Sequence, residues 1–249
     1  MNIAFYTGAS GLRAYQNGVN VISHNIANIG TAGYKSTNSA FRELLYSNMD
    51  TNINRELDED DKNKVGHGVK FSGQDMIFSQ GNLQSSEYPL DFAIAGDCLF
   101  QIERDGRIEY TRNGQFDISV EGDGNYLVTE DGAYVMDKYG NHMKVMYDEY
   151  GHILNSDMAD EFGLYKFDNP YGLYRTNHSS FLVSDISGEP QRIDPDHENR
   201  IYPSAYENSN VNLAKEMSDL IVTQKSYQFS AKVVQVADEI EEIVNTLRK

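Results

Sequence analysis

Two stretches near the ends of the chain carry apolar residues at the spacing of helices that pair with a partner. In the first stretch the steps alternate between three and four residues, at Phe5, Gly8, Leu12, Tyr15, Val19, Ile22, Ile26 and Ile29. This heptad seam keeps one face of a helix turned toward another helix, and Asn25 borders it. Asn28 and Gly30 stand where a left-handed C-terminal cap is expected, and Gly33 frees the backbone for a further turn.

The second stretch runs from about residue 211 to 247 without Pro or Gly, after a capping segment at 208–210. It has two apolar seams. The first seam comprises Leu213, Met217, Leu220, Tyr227, Ala231 and Val234. The second seam comprises Phe229, Val233, Val236, Ile240, Ile243 and Leu247. Two adjacent seams give a helix face wide enough for several neighbours.

The middle of the chain has a different pattern. Residues 50–65 are rich in Asn, Asp, Glu and Lys, which predicts a solvated linker. From residue 66 onward apolar and polar residues alternate, as in Leu99–Glu103 and Phe116–Val120, and Asp-Gly or Asn-Gly turns recur between the runs. Alternation with such turns predicts short antiparallel strands joined by hairpins.

These patterns together predict an α+β fold in which the N- and C-terminal helices pair as a coiled-coil domain beside a central antiparallel β domain. The predicted parts are a helix with its loop at 1–49, an acidic linker at 50–65, the β domain at 66–202 and a helix at 203–249.

Charge is distributed unevenly along the chain. Residues 46–205 hold 13 bases and 30 acids and so carry the whole formal net charge of −17. Ends that are neutral together can pack against copies of themselves, whereas an acidic middle stays solvated and apart. This balance argues against binding to nucleic acid or to anionic lipid.

Targeting signals are missing from the sequence. The N-terminus has neither a basic leader nor an apolar core, so we expect no cleaved signal peptide. No run of about eighteen apolar residues predicts a membrane span. Composition alone would therefore place the protein in the cytoplasm. The single cysteine, Cys98, allows no internal disulfide and is expected to be a buried structural thiol.

Known catalytic and phosphate-binding motifs are also missing. Asp117–Gly122 resembles the start of a calcium loop, but Val128 stands where the bidentate Glu is needed. The acidic cluster at 194–198 contains a histidine but reads as a solvated loop beside prolines. We therefore predict no catalytic residue, no metal site and no cofactor.

The segment Ile22–Lys35 resembles the N-terminal signature of the bacterial flagellar axial proteins, the rod and hook subunits. His24 and Ala32 depart from the usual Asn and Pro of that signature. Further resemblances to this family occur in the middle and at the C-terminus, at Phe78–Leu83, Leu90–Gly96, Tyr110–Phe116, Leu127–Thr129, Ser209–Glu216 and Gln224–Gln228.

The resemblance implies a non-enzymatic structural subunit of the flagellar basal-body rod, most like the distal or proximal rod subunit. Such subunits polymerise into a helical tube that transmits torque to the hook and filament. The implied partners are copies of itself, other axial subunits and the flagellar type III export apparatus. The implied location is outside the cytoplasmic membrane, without direct membrane insertion. Alternatives are a hook or rod–hook junction subunit, or a soluble β-rich binding module or enzyme dimerised by its terminal helices.

The seams and the signature together predict the residues of the assembly interface. They are Leu12, Val19, Ile22, Asn25, Ile26, Asn28, Gly33, Tyr34, Lys35, Leu213, Leu220, Tyr227, Phe229, Val233, Val236, Ile240, Ile243 and Leu247.

Overall fold

The computed structural model describes residues 3–48, 64–122, 124–176, 179–195 and 199–247. Most of the predicted acidic linker, residues 50–63, lies outside this part of the chain. The chain divides into two compact units. The helical unit comprises residues 1–26, 37–75 and 213–249, and the β unit comprises residues 27–36 and 76–212. The structure therefore groups the loop after the first helix with the β unit.

The elements follow one another in chain order as α1 (Ile3–Ala27), β1 (Thr37–Glu43), β2 (Tyr46–Asn48), β3 (Lys64–Gly66), β4 (Val69–Met76), β5 (Leu83–Ser85), β6 (Phe92–Ala95), β7 (Leu99–Arg104), β8 (Arg107–Thr111), β9 (Phe116–Glu121), β10 (Gly124–Thr129), β11 (Tyr134–Val135), α2 (Asn155–Ala159), β12 (Leu164–Lys166), β13 (Tyr174–Arg175), β14 (Ser180–Leu182), β15 (Gln191–Ile193), β16 (Arg200–Pro203), β17 (Ala205–Glu207) and α3 (Leu213–Leu247). The predicted α+β class, with a helix at each end and antiparallel strands between, is confirmed.

In the helical unit, α1 and α3 run antiparallel. Gly8 lies against Val234, Gly11 against Ser230 and Gly18 against Thr223. A methyl group added at Gly8 would lie 2.7 Å from Val234 Cγ2, and one added at Gly11 would lie 2.7 Å from Ser230 Oγ. The helix backbones therefore come close at positions where α1 has no side chain.

The buried face of α1 is rotated from the predicted seam. Its buried residues are Gly8, Gly11, Ala14, Gly18, Val21, Ile22 and Asn25. The predicted seam shares Gly8 and Ile22 with this face, whereas Phe5 and Ile29 are exposed. Glycine contributes little to a hydrophobicity pattern. The pattern of apolar residues therefore did not show which face of α1 packs against α3.

Short strands complete the helical unit. β1 pairs with β4, and β2 pairs antiparallel with β3. Phe41 of β1 packs against Tyr15 and Phe71, with ring centroids 5.7 and 6.0 Å apart. Its ring tip also covers Gly18, where an added methyl group would lie 2.8 Å away. The Phe41 side chain thus packs the β1–β4 pair against α1.

The β unit is built on a sheet of order β13-β14-β8-β7-β11-β10-β9, with β12 joining β7 to β15. Two smaller pairs, β6–β16 and β5–β17, bring the last strands back to earlier ones. Alternate residues of β7 enter two different cores. Phe100 packs with Phe92, Phe116 and Phe162, while Leu99 belongs to the second core, with Tyr110, Phe167, Leu173 and Phe181. Cys98 is buried, as predicted.

Gly114 allows a close backbone approach within the β unit. A methyl group added there would lie 1.7 Å from the Phe92 carbonyl oxygen. That oxygen belongs to the backbone of β6, so it can move away only if the strand moves. We predict that Gly114→Ala lowers the free energy of unfolding of the β unit by about 1–3 kcal/mol or more. Gly122→Ala is the control, because among the described residues, its chain neighbours aside, no atom lies within 4 Å of the added methyl group. Urea unfolding that gives equal stabilities for both variants would contradict the packing described here.

Candidate functional site

A network of hydrogen bonds and buried ion pairs surrounds the signature loop, which we define as residues 27–36. Gly33 has a φ of 66°, and an added methyl group there would lie 2.5 Å from the Arg112 carbonyl carbon. Its N–H donates to the Glu207 carbonyl oxygen at 2.8 Å. Both the left-handed backbone and the lack of space require glycine at this position. The turn places Tyr34 and Lys35 inside the β unit.

Three buried charged side chains meet next to this turn. Lys35 Nζ lies 2.8 Å from Glu207 Oε1, and Arg112 Nε donates to Glu207 Oε2. Lys35 and Glu207 are each 2% exposed, and Arg112 is 4% exposed. They come from the start, the end and the middle of the chain. We call them the Glu207 cluster.

Each charge in the Glu207 cluster has further hydrogen-bond partners. Lys35 Nζ also donates to the Ser79 carbonyl at 3.0 Å, and Glu207 Oε1 accepts the Gly81 N–H at 2.7 Å. Arg112 Nη2 donates to the carbonyls of Ile94 and Gly96 at 2.9 and 2.7 Å, and Nη1 donates to that of Cys98. Buried ions need such pairing and hydrogen bonding, because water no longer solvates them.

The pKa shifts reflect this environment. Burial on its own would raise the pKa of Glu207, but the charges of Arg112 and Lys35 outweigh burial and hold that pKa below its usual value. Burial lowers the pKa of Lys35, and the attraction of Glu207 opposes the shift. The ionised carboxylate is therefore the form that the folded protein favours.

Further contacts fix the loop on both sides. The Arg175 guanidinium lies 4.2 Å from the centre of the Tyr34 ring, and Arg175 Nη1 donates to the Lys35 carbonyl at 3.3 Å. Asn210 Oδ1 accepts the Ser36 N–H at 2.6 Å, while its Nδ2 donates to the Ile77 carbonyl at 2.8 Å. The signature loop is thus a structural part of the β unit.

Asn25 has a comparable role within the helical unit. Its Oδ1 accepts the Thr37 N–H at 3.0 Å and its Nδ2 donates to the Thr37 carbonyl at 2.7 Å. The same Nδ2 lies 3.2 Å from Glu216 Oε2 of α3. One buried amide thereby joins both helices to the start of β1.

The end of α1 differs from the expected cap. Neither Asn28 nor Gly30 has a positive φ, and the left-handed residue of this turn is Gly33. The turn is closed instead by Thr31, whose N–H donates to the Asn28 carbonyl and whose hydroxyl donates to Asn28 Oδ1, both at 3.2 Å. Side-chain bonding therefore replaces the left-handed cap that the sequence pattern favoured.

The predicted interface residues fall into three groups by burial. Those buried within the chain are Ile22, Asn25, Gly33, Tyr34 and Lys35. Those half-buried are Leu12, Val19, Ile26, Asn28 and Leu220. Those exposed are Leu213, Tyr227, Phe229, Val233, Val236, Ile240, Ile243 and Leu247. Sequence reasoning missed Arg112, Glu207 and Asn210, because isolated polar residues in strands and turns give no periodic signal.

The second seam of α3 forms a continuous exposed apolar face. Its six residues, Phe229, Val233, Val236, Ile240, Ile243 and Leu247, are between 44% and 82% exposed. Ala4 of α1 borders it. Contiguous exposed apolar surface of this kind is typical of protein interaction sites.

The described residues contain no group of three or more His, Cys, Asp or Glu placed to hold a metal ion. Three residues of the acidic cluster at 194–198 lie outside the described residues. Among the described helices, none is both long and apolar enough to cross a membrane.

Three segments of the chain match models of known protein families. Residues 5–35 match the family described as flagella basal body rod protein, 93–157 match the flagellar hook protein FlgE/F/G D1 domain, and 203–247 match the flagellar basal body rod FlgEFG protein C-terminal region. The flagellar basal-body rod protein FlgG of Agrobacterium fabrum is 32% identical over 97% of this chain and 98% of its own length. The chain belongs to the flagellar basal-body rod protein family.

Other members of the family give the same picture. The flagellar basal-body rod protein FlgG of Borreliella burgdorferi is 31% identical over 99% of this chain and 98% of its own length. The flagellar hook-basal body complex protein FlhP of Bacillus subtilis is 25% identical over 97% of this chain and 98% of its own length. The protein is a structural subunit of the flagellar basal-body rod.

We predict that Lys35→Met lowers the free energy of unfolding of the β unit by about 3–5 kcal/mol, because removal of one partner leaves a buried charge uncompensated. Lys138→Met is the matched control, since Lys138 forms a partly exposed ion pair with Glu161 at 3.0 Å. Its loss should cost about 1 kcal/mol or less. Chemical unfolding measures both variants, and similar losses would refute a structural role for the Glu207 cluster.

The lowered pKa of Glu207 predicts an acid dependence. A carboxyl whose folded pKa lies below its unfolded value of 4.5 stabilises the fold above that pH, and this stabilisation is lost as the pH falls through the folded pKa. We expect the stability of the β unit to fall with pH below about 4.5 more steeply in the wild type than in Glu207→Gln. Unfolding curves between pH 7 and pH 2 test this, and parallel profiles would contradict the assignment.

Proposed function

We propose that this rod subunit polymerises through the exposed apolar faces of its terminal helices, forming a helical tube that transmits torque to the hook and filament. The observation that carries the proposal is the second seam of α3, which lies exposed in the single chain. Within the chain, α3 uses a different side, with Thr223, Ser230 and Val234 facing α1.

The energetics favour a polymer over a free subunit. Full burial of one Val, Leu, Ile or Phe side chain is worth about 1.5–3 kcal/mol. The second seam offers six such side chains, each still substantially exposed. Contacts between different surfaces of identical copies build an open helical filament when the rotation between copies does not close into a ring.

Charge supports the solubility of the free subunit. The β unit holds 24 acids and 10 bases among residues 27–36 and 76–212. Mutual repulsion between such units opposes non-specific association before assembly. The helical unit has a much smaller net charge, with 14 acids and 11 bases, so its faces can approach one another.

The partners in this proposal are copies of the chain, other axial subunits and the flagellar type III export apparatus. The subunit acts outside the cytoplasmic membrane, after export that removes no signal peptide, and it catalyses no reaction. Membership of the flagellar rod family supports these proposed partners and this location. A position at the rod–hook junction is the second candidate, favoured by the similarity to a hook-basal body complex protein.

Ile240→Asp tests the assembly face. A carboxylate in the middle of the second seam should abolish polymer formation and motility, because burial of an unpaired charge is unfavourable. Gln235→Asp is the control, since residue 235 lies about 140° around the helix from residue 240. Sedimentation and electron microscopy measure polymers, and circular dichroism checks the fold. Full-length rods from the Ile240→Asp variant would show that the second seam is not the assembly face.

Export needs a deletion that spares the Glu207 cluster. Removing residues 1–45 would take away Lys35 and so damage the β unit as well. We predict that removing residues 3–22 abolishes both secretion and polymerisation while the β unit stays folded. Immunoblotting of secreted and cellular fractions measures the first effect, with chemical unfolding as the check on folding. Normal secretion of this shortened chain would contradict export through the N-terminal region.

A further inference from the structure

α3 continues past the described part of α1. The numbers of facing residues sum to 241 or 242, as for Gly11 with Ser230 and Gly8 with Val234. By the same register, Ile3, the first described residue of α1, falls opposite about position 238. Residues 239–247 of α3 therefore lie beyond the described part of α1, and each of them is exposed.

This overhanging end of α3 presents an apolar ridge. Ile240, Ile243, Val244 and Leu247 recur at steps of three and four and are 53–82% exposed. At about 100° per residue, Glu239 and Glu241 flank the ridge on opposite sides. We call these four apolar residues the terminal ridge.

A groove that is apolar and flanked by basic residues, and so complements the terminal ridge, lies elsewhere in the helical unit, between α1 and β4. Its volume is about 620 Å³, and its walls include the apolar side chains of Phe5, Tyr6 and Phe71. Arg13 from α1 and Lys70 from β4 both line it, and none of the described residues that line it is acidic. We call it the α1–β4 groove.

We propose that the terminal ridge of one copy docks into the α1–β4 groove of a second copy, with Glu239 and Glu241 facing Arg13 and Lys70. The proposal rests on the proposed function, self-assembly, and names two surfaces that meet. Apolar side chains fill the groove, while the flanking charges are opposite in sign and select this pairing over others.

The contact must form between copies. α3 is a continuous helix to Leu247, so its last turns lead away from the stretch of α1 that forms the groove. Without a break in α3, the terminal ridge cannot reach the groove beside Phe5 and Arg13 of the same chain. The ridge and the groove are different surfaces, so the contact is head-to-tail and gives the polymer a direction.

Charge reversal tests the pairing in the full-length chain. Arg13→Glu with Lys70→Glu, and separately Glu239→Lys with Glu241→Lys, should each raise the critical concentration for polymerisation at least tenfold. The chain carrying all four changes should return toward the wild-type value. Asp238→Lys with Glu242→Lys is the matched control, because it makes the same charge change on the opposite side of α3 and should leave the critical concentration within about twofold.

Mixing the two defective variants gives a second test. Each variant then meets a partner with the opposite charges, so the mixture should polymerise although neither variant does so alone. No recovery in either the mixture or the four-change chain would overturn the proposed pairing. Normal polymers from both reversed variants would do so as well, and would leave the proposed function standing.

A cross-linking experiment tests the contact even without long polymers. One chain carries Tyr6→Cys and a second chain carries Ile243→Cys, and both are mixed under oxidising conditions; buried Cys98 should not compete. We expect a disulfide between the two chains. Tyr6→Cys mixed with Glu242→Cys is the control and should cross-link at least tenfold less. Equal yields would contradict the ridge-in-groove contact, whereas a wild-type chain that forms no polymer under any condition would contradict the proposed function.

Discussion

The β unit depends on one carboxylate. Glu207 lies between Lys35 and Arg112 and also accepts the Gly81 N–H, so it ties together segments that are far apart in the sequence. A buried carboxylate is tolerable only while these partners are present. The fold therefore needs the signature loop, the segment after β8 that carries Arg112, and the last strand, β17, at the same time. This requirement explains why the loop that follows α1 belongs to the β unit.

The helical unit has the opposite design. Where α1 and α3 meet at Gly8, Gly11 and Gly18, the facing residues are Val234, Ser230 and Thr223, so the helices approach closely at positions where α1 buries no side chain of its own. Its large apolar side chains, including Phe229, Ile240 and Leu247, remain exposed. A helix pair of this kind gains little hydrophobic stabilisation within one chain and much more when neighbouring copies cover it. In our account the single chain completes the β unit, and only assembly completes the helical unit.

The sequence predicted the long helices, the antiparallel hairpins, the family and the buried Cys98, because each follows from periodicity, turn residues or a long motif. It did not predict the true face of α1, because Gly11 and Gly18 carry no hydrophobic signal. Nor did it predict the Glu207 cluster, since pairing of residues 35, 112 and 207 depends on the finished topology. The signature itself was recognised, but the burial of Tyr34 and Lys35 within the chain became clear only from the structure.

Hydrogen exchange of the dilute subunit and of the assembled polymer shows whether the helical unit is complete in the single chain or only in the polymer. Amides of the β unit, such as those of β7 and β10, should be equally protected in both states. Amides of α3 should exchange rapidly in the dilute subunit and become protected in the polymer. Strong and equal protection of α3 in both states would contradict the account, because the helices would then be complete without neighbours.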